Sequence, residues 1–307
     1  MGRIKVLLVG LPLFANRIRE GFKSANSTVE IAQLNTYYSF KDKLKFPLEI
    51  LRSKVVYSIN GTIGKSMVVD TAMALNKKVV MHWVGSDVTT AISTFKSGNF
   101  KQKYIDHCVH WCEVGWIKDE LKQIGIEAEI VNFAAYNIEN NHTALPKSDR
   151  LSVLSYIPQN RSDFYGLSRL KQMAEACPEI SFRVMGSKYE WPSLPNVEFL
   201  GWIKNSKVEV DKVHVCLRNT EHDGLSNFVL EALAMGRPVL YNNPLKACTY
   251  CENVSDYIAE LKRLAADLAE GKLELNSRGI EFIRSEFSPE VIYKDLSDRF
   301  TSIANER

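Results

Sequence analysis

Short apolar runs alternate with helix-period segments along most of the chain, and this alternation constrains the fold more than any other feature. Lys5–Gly10 reads as a strand, followed by a helix from about Ala15 to Lys23. Val29–Leu34 and Val55–Ile59 read as the next strands, with a helix expected near Lys65–Leu75. Lys78–Val84, Cys108–Glu113 and Glu129–Phe133 continue the series, and a helix from Gly115 to Ile124 joins the last two. A parallel strand returns to its sheet only through a long crossover, usually helical. The pattern therefore predicts an α/β fold with a parallel sheet covered on both faces. Residues 137–150 are polar and turn-forming and read as a linker. The alternation then restarts with Leu151–Tyr156, a helix near Tyr165–Ala176, Ile180–Met185, Val197–Leu200 and Val213–Leu217. A helix over Asn227–Met235, a strand over Pro238–Tyr241 and helices near Asp256–Gly271 and Pro289–Ile303 complete it. A length of 307 residues accommodates two domains. We expect Rossmann-like domains over 1–147 and 148–307, with the last helix (about 289–303) free to pack back on the first. Ligands of such sheets bind beyond the carboxyl ends of the strands, so the cleft between two of them is the expected site.

Charge narrows the function classes. The net charge of +3 argues against a nucleic-acid coat, which carries a strong basic excess. That value is the sum of +6 over residues 1–147 and −3 over the remainder. In the basic half, Lys41, Lys43, Lys45, Arg52 and Lys54 cluster with Tyr37, Tyr38, Phe40 and Phe46. Such a stretch (37–54) suits peripheral contact with an anionic membrane, or else a solvated helix whose apolar side faces the core. No apolar run reaches the length of a membrane span. The N-terminal apolar run is short, lacks a small-residue cleavage site and reads as a strand rather than a signal peptide. A cytoplasmic protein is expected, with membrane association on the cytoplasmic face as an option.

Six cysteines without a signal peptide suggest reduced thiols. The Cys248/Cys251 pair lacks the second pair of ligands that a zinc site needs. His107, Cys108, His110 and Cys112 look metal-like, but along a strand successive side chains point to opposite faces and cannot converge.

The most informative segment is Arg218–Val239. It follows a strand, turns at Gly224, and enters a helix after Ser226 that stops at Gly236. Unpaired amides at a helix start, aided by the macrodipole, bind anions. Arg218 at the strand end adds a cation for the same anion. Asp223 and Glu231 are suited instead to hydroxyl donors such as those of a sugar. A phosphate-binding helix start flanked by two carboxylates describes a nucleotide-sugar site.

Asp223, seven further residues, and then Glu231-Ala232-Leu233-Ala234-Met235-Gly236-Arg237-Pro238-Val239 resemble the signature of retaining GT-B glycosyltransferases, especially glycosyltransferase family 4. Phe182–Gly186, Val197–Trp202 and Leu154–Pro158 resemble the family's strands of the donor-binding domain, and Lys77–Val88 resembles a strand end of its first domain. The likeness covers the second domain well and the first loosely. It implies that Asp223 orients the donor sugar and that Glu231 binds the ribose. The turn Gly224, Leu225, Ser226 and Asn227 would cradle the diphosphate, with Gly201 and Trp202 near the base and Gly186 in the nucleotide loop. Arg161 and Arg218 would neutralise the diphosphate, with Lys171 as a fallback for a lysine expected where Gly166 stands. His82 would be the catalytic histidine of the first domain, displaced by two positions, which preserves its strand face, or else a buried structural histidine. The resemblance further implies a glycan or lipid-linked acceptor in polysaccharide biosynthesis, and neither metal nor cofactor. No DxD motif is present; Glu209-Val210-Asp211 and Glu221-His222-Asp223 come nearest.

Several positions depart from the family pattern. Asp223 replaces the usual Glu, the cation pair is incomplete, and the glycine-rich first loop is missing after Gly10. These departures leave open a non-catalytic subunit that binds sugar or nucleotide. Gly61–Ser66 ends like a Walker A loop, but Ile59 stands where its first glycine belongs, so a turn opening a helix is expected there.

Overall fold

The computed structural model describes residues 3–25, 27–36, 39–137 and 143–306. Tyr37 and Tyr38 of the basic stretch, and residues 138–142 of the expected linker, lie outside them. The chain divides into two compact units: residues up to Ala135 together with those from Pro289 onward, and Tyr136–Ser288.

The first unit is built on strands β1 (Ile4–Gly10), β2 (Val29–Leu34), β3 (Val55–Ile59), β4 (Lys78–Trp83), β5 (Val109–Cys112) and β6 (Glu129–Ile130). They form one sheet in the order β2-β1-β3-β4-β5-β6, parallel at every pairing. Val6, Leu7, Leu8, Val55, Val56 and Tyr57 are fully buried, as expected where helices cover both faces of a parallel sheet. The last helix, Pro289–Asn305, belongs to this unit. Its Tyr293 packs edge-on to Phe22, and its Phe300 lies 5.1 Å from the Tyr57 ring and 5.4 Å from that of Trp111. Gly21 makes room for this helix: a Cβ there would fall 1.8 Å from the Tyr293 ring.

The second unit carries β7 (Ser152–Tyr156), β8 (Ser181–Met185), β9 (Val197–Gly201), β10 (Val215–Arg218), β11 (Val239–Tyr241) and β12 (Thr249–Tyr250). Their order is β12-β11-β10-β7-β8-β9, again parallel throughout. The helix Asn227–Ala234 buries all of its residues except Asn227 and Glu231, because it packs between its own sheet and the helix Ser277–Phe287. Fully buried Arg237 anchors the second half of the expected linker by donating to the carbonyls of Thr143 and Ala144 and to those of Val210 and Asp211. The desolvation of a guanidinium is tolerable only with this many acceptors.

Helices that the sequence pattern did not single out occupy Ser86–Lys96, Gln102–His107, Ser206–Val210 and Ser277–Phe287. The basic stretch folds as a helix, Phe40–Arg52, whose Phe46 and Ile50 enter the core.

Candidate functional site

In each sheet the chain reverses its direction of travel once, and such a switch point opens a crevice at the strand ends. In the second unit the switch lies between β7 and β10. Arg218, the last residue of β10, is buried there, and its Nε donates to Asp223 Oδ2 at 2.7 Å. Its Nη1 donates to the Tyr156 carbonyl at the end of β7, and its guanidinium lies 5.0 Å from the centre of the Tyr165 ring. Burial acts against the Arg218 charge, but Asp223 outweighs it and holds the guanidinium pKa above its usual range. Tyr241 donates from its hydroxyl to Asp223 and lies within hydrogen-bond distance of the Gly224 carbonyl. Burial, followed by the Asp223 charge, keeps the Tyr241 phenol protonated. Arg218, Asp223 and Gly224 are therefore brought together as expected of one loop. Arg218 and Asp223 engage each other in this arrangement.

The loop leading into the helix is fixed at several points. Thr220 accepts from and donates to Asn242, and the Glu221 amide donates to the Phe164 carbonyl. Gly166 explains why no lysine stands at that position. Its φ is +87°, and a Cβ would lie 2.2 Å from the Asn219 carbonyl oxygen. Only glycine permits this approach of the two loops.

Ser226 precedes the helix Asn227–Ala234 in an extended conformation, and its side chain makes no capping bond. The first intrahelical bond is Leu230 N–H to the Ser226 carbonyl, so the amides of Asn227, Phe228 and Val229 precede the regular ladder. The Asn227 side chain accepts from the Tyr136 hydroxyl at 2.7 Å. Glu231, one turn into the helix, accepts from Ser206 Oγ at 2.5 Å. Gly186 and Gly201 meet through an amide-to-carbonyl bond of 2.7 Å at the ends of β8 and β9. Trp202 follows, 77% exposed.

The cations are arranged less simply. Arg161 is exposed, with φ +61° and its guanidinium 4.0 Å from the Phe164 ring centre. Lys171 pairs with Glu175 along its own helix. The sequence reading missed Arg169, on the first turn of the helix Leu167–Ala176. Its Nη2 reaches the Asn219 carbonyl at 3.5 Å, and its Nε is buried with no hydrogen-bond partner among the described residues. Tyr241 and Ser206 were also missed. Tyr241 ends an expected strand, and that position is the signal that could have found it.

His82 was expected among the catalytic groups. It is instead a wholly buried ring of the first unit, enclosed by Tyr57, Trp111 and Phe133. Its Nδ1 lies 2.7 Å from the Tyr57 hydroxyl. Burial depresses its pKa to about 3, against a weaker pull from the Val131 backbone. The strand face that carries His82 is turned into aromatic core.

Three amides of the Walker-like segment are already engaged. Gly61 N–H donates to Asp87, Gly64 N–H to Thr62 Oγ1 and Ser66 N–H to the Tyr104 hydroxyl. Asp87 also accepts from the amides of Val84, Gly85 and Val88 and so ties this loop to the next helix. Beside it, at the switch point between β1 and β3, lies a cavity of about 210 Å³. It is lined by Gly10, Thr36, Lys43, Ser58, Thr62 and Ser66, among others. All six cysteines are free thiols, and burial raises the pKa of Cys248 and Cys251 to about 12, too high for thiolate chemistry near neutrality. Among the described residues, no group of three or more His, Cys, Asp or Glu side chains is arranged to hold a metal ion.

The fold is that of GT-B glycosyltransferases. The chain is similar to a glycosyltransferase from Rickettsia africae at 10% identity, with all of both chains covered and a TM-score of 0.71. It is similar to sucrose-phosphate synthase from Thermosynechococcus elongatus at 10% identity, over 98% of this chain and 99% of that one, with a TM-score of 0.67. It also matches the pneumococcal O-GlcNAc transferase GtfA, solved with UDP and GlcNAc, at 14% identity, over 88% of this chain and 61% of that one, with a TM-score of 0.56. No family model and no curated protein sequence matches the chain. At these identities the likeness establishes the fold alone.

Proposed function

We propose that this protein is a retaining glycosyltransferase that moves a sugar from a nucleotide diphosphate sugar to a glycan or lipid-linked acceptor without a metal ion. The observation that carries the reading is the uncapped start of the helix Asn227–Ala234, set directly after the switch-point loop that holds Arg218 and Asp223. The amides of Leu225, Ser226 and Asn227 bind the diphosphate, since a helix start offers directed donors and a favourable dipole. Glu231 accepts from the ribose hydroxyls, with Ser206 fixing its rotamer. Asp223 accepts from hydroxyls of the donor sugar; a carboxylate has about four acceptor directions, and Arg218 and Tyr241 use part of them. Gly186, Gly201 and Trp202 flank the base.

In the reaction, the acceptor oxygen bonds to the anomeric carbon as the bond from that carbon to the diphosphate oxygen breaks. The acceptor's proton passes to the departing phosphate, so the protein need not supply a base. The protein's part is to stabilise the developing negative charge, through the helix start, Arg218, Arg161 and Arg169. The cavity between β1 and β3, where Thr36, Ser58, Thr62 and Ser66 meet the apolar side chains of Val9, Phe46 and Met67, is the proposed seat of the acceptor on the first unit. His82 has no part in this scheme.

One observation favours a second reading, a non-catalytic subunit that binds nucleotide or sugar. Arg218 is already engaged by Asp223, and Arg161 lies against Phe164, so neither cation is poised for a leaving group. Donor turnover separates the two. Full-length protein incubated with UDP-, GDP- and ADP-sugars should release nucleoside diphosphate, slowly by hydrolysis and faster with acceptor. Glu231→Gln and Arg169→Met should each reduce release at least about tenfold, the loss expected from one charge-assisted bond. Nucleotide binding without release by the wild type would support the subunit reading. Unchanged release in both variants would overturn the site.

A further inference from the structure

The helix Phe40–Arg52 carries two apolar faces where a surface helix needs one. Phe46 and Ile50 are buried against the sheet. Phe40, Leu44, Leu48 and Leu51 are 74%, 67%, 51% and 60% exposed. At about 100° per residue, these four fall within roughly 80° of arc, on the side away from the buried pair. Scattered exposed leucines need no explanation, but a continuous stripe along three turns does.

Cations border the stripe on both edges: Lys41, Lys45 and Arg52 on one, Lys43 on the other. The acidic residues of the helix are used elsewhere. The Asp42 carboxylate accepts from the Asn35 amide while its own amide donates to Ser39 Oγ, and Glu49 pairs with Lys5 at 2.8 Å and more loosely with Arg52. Lys41, Lys43 and Lys45 make no ion pair among the described residues.

We propose that this face docks on an anionic lipid bilayer. The apolar stripe would sink to the acyl boundary while the flanking lysines reach the phosphates, the arrangement by which interfacial helices bind. Charge decides against a second copy of the chain, because a self-complementary contact would set one lysine-edged stripe against another. The structure also corrects which residues matter: Phe46, an aromatic of the basic stretch, is committed to the core, and three leucines carry the stripe with Phe40. Lys43 lines the cavity between β1 and β3 as well, so docking brings that cavity to the headgroup layer. The donor-side residues all lie in the other unit, so the proposal stands or falls separately from sugar transfer.

The test is flotation of the full-length protein with phosphatidylcholine vesicles, with and without phosphatidylglycerol, at low and high salt. Two variants accompany the wild type: Phe40→Ser/Leu44→Ser/Leu48→Ser/Leu51→Ser, and Lys41→Glu/Lys43→Glu/Lys45→Glu. All seven positions are exposed, so native melting temperatures are expected. Support is wild-type binding to anionic vesicles at least about tenfold above neutral ones, falling with salt and lost in either variant. Equal binding to neutral vesicles, no binding to anionic ones, or wild-type binding by the serine variant would overturn it. So would a concentration-dependent dimer, seen by light scattering and abolished by the serine substitutions, in a protein that ignores vesicles.

Discussion

Asp223→Ala removes the carboxylate that pairs with the Arg218 guanidinium among the described residues. The Arg218 side chain is 7% exposed and that of Asp223 16%, so the pair is nearly desolvated. Losing one member of a buried pair costs about 3–5 kcal/mol, because the other charge stays buried. Arg218 would keep its bond to the Tyr156 carbonyl and its place over Tyr165, the latter worth about 0.5–1 kcal/mol. The expected cost is therefore near the lower end, about 3 kcal/mol. At this chain size that is about 6–12 °C in Tm. Arg218→Met should cost less, since Asp223 is closer to water and still accepts from Tyr241. The double variant Arg218→Met/Asp223→Asn should recover at least about 1.5 kcal/mol relative to additivity. Scanning calorimetry reads all these quantities. A shift below about 2 °C for Asp223→Ala, or a coupling of zero, would refute the reasoning that these side chains depend on each other.

Gly166→Ala should destabilise by about 2 kcal/mol or more, from the left-handed backbone and the Cβ set against Asn219, and the melting temperature reads it. His82 contributes through pH. Its folded pKa of about 3 lies below the ordinary 6.5, so the unfolded state binds more protons between those values. Stability is complete above about pH 6.5 and is lost as the pH falls toward 3, by up to about 5 kcal/mol. His82→Phe should flatten that acid limb, and an NMR titration of His82 near its ordinary pKa would contradict the burial argument. Glu231→Gln should weaken nucleotide-sugar binding about 10- to 100-fold while leaving the melting temperature within about 2 °C.

Val29–Leu34 and Val55–Ile59 were legible to the residue: the second is a short apolar run buried on both faces, and the first, at the sheet edge with Glu30 exposed, buries Val29 and Leu34 at its ends. The helix Phe40–Arg52 was less so. It has apolar residues on two faces and Pro47 inside it, which blurs the single-stripe period. Ser86–Lys96 has a largely polar sequence and depends on Asp87 for its start, a contact that spans separate loops. At the site, Arg218, Asp223 and Gly224 were readable because one loop carries them. Their partners were not: Tyr156 and Tyr241 come from two other strand ends and Tyr165 from the turn before the helix Leu167–Ala176, and the three are adjacent only through the fold. His82 shows the converse limit. Strand parity fixes which residues share a face, but not whether that face meets solvent or, as here, Phe133 and Trp111.

The central claim is that the start of the helix Asn227–Ala234 receives a nucleotide diphosphate. The direct measurement is titration calorimetry of the full-length protein with UDP, GDP and ADP, repeated with Ser226→Pro, which removes one amide donor. The account predicts saturable binding of at least one diphosphate, weakened at least about tenfold in the variant, with the corresponding nucleoside binding far more weakly. Equal affinity for nucleoside and diphosphate, or no binding of any of the three, would contradict it.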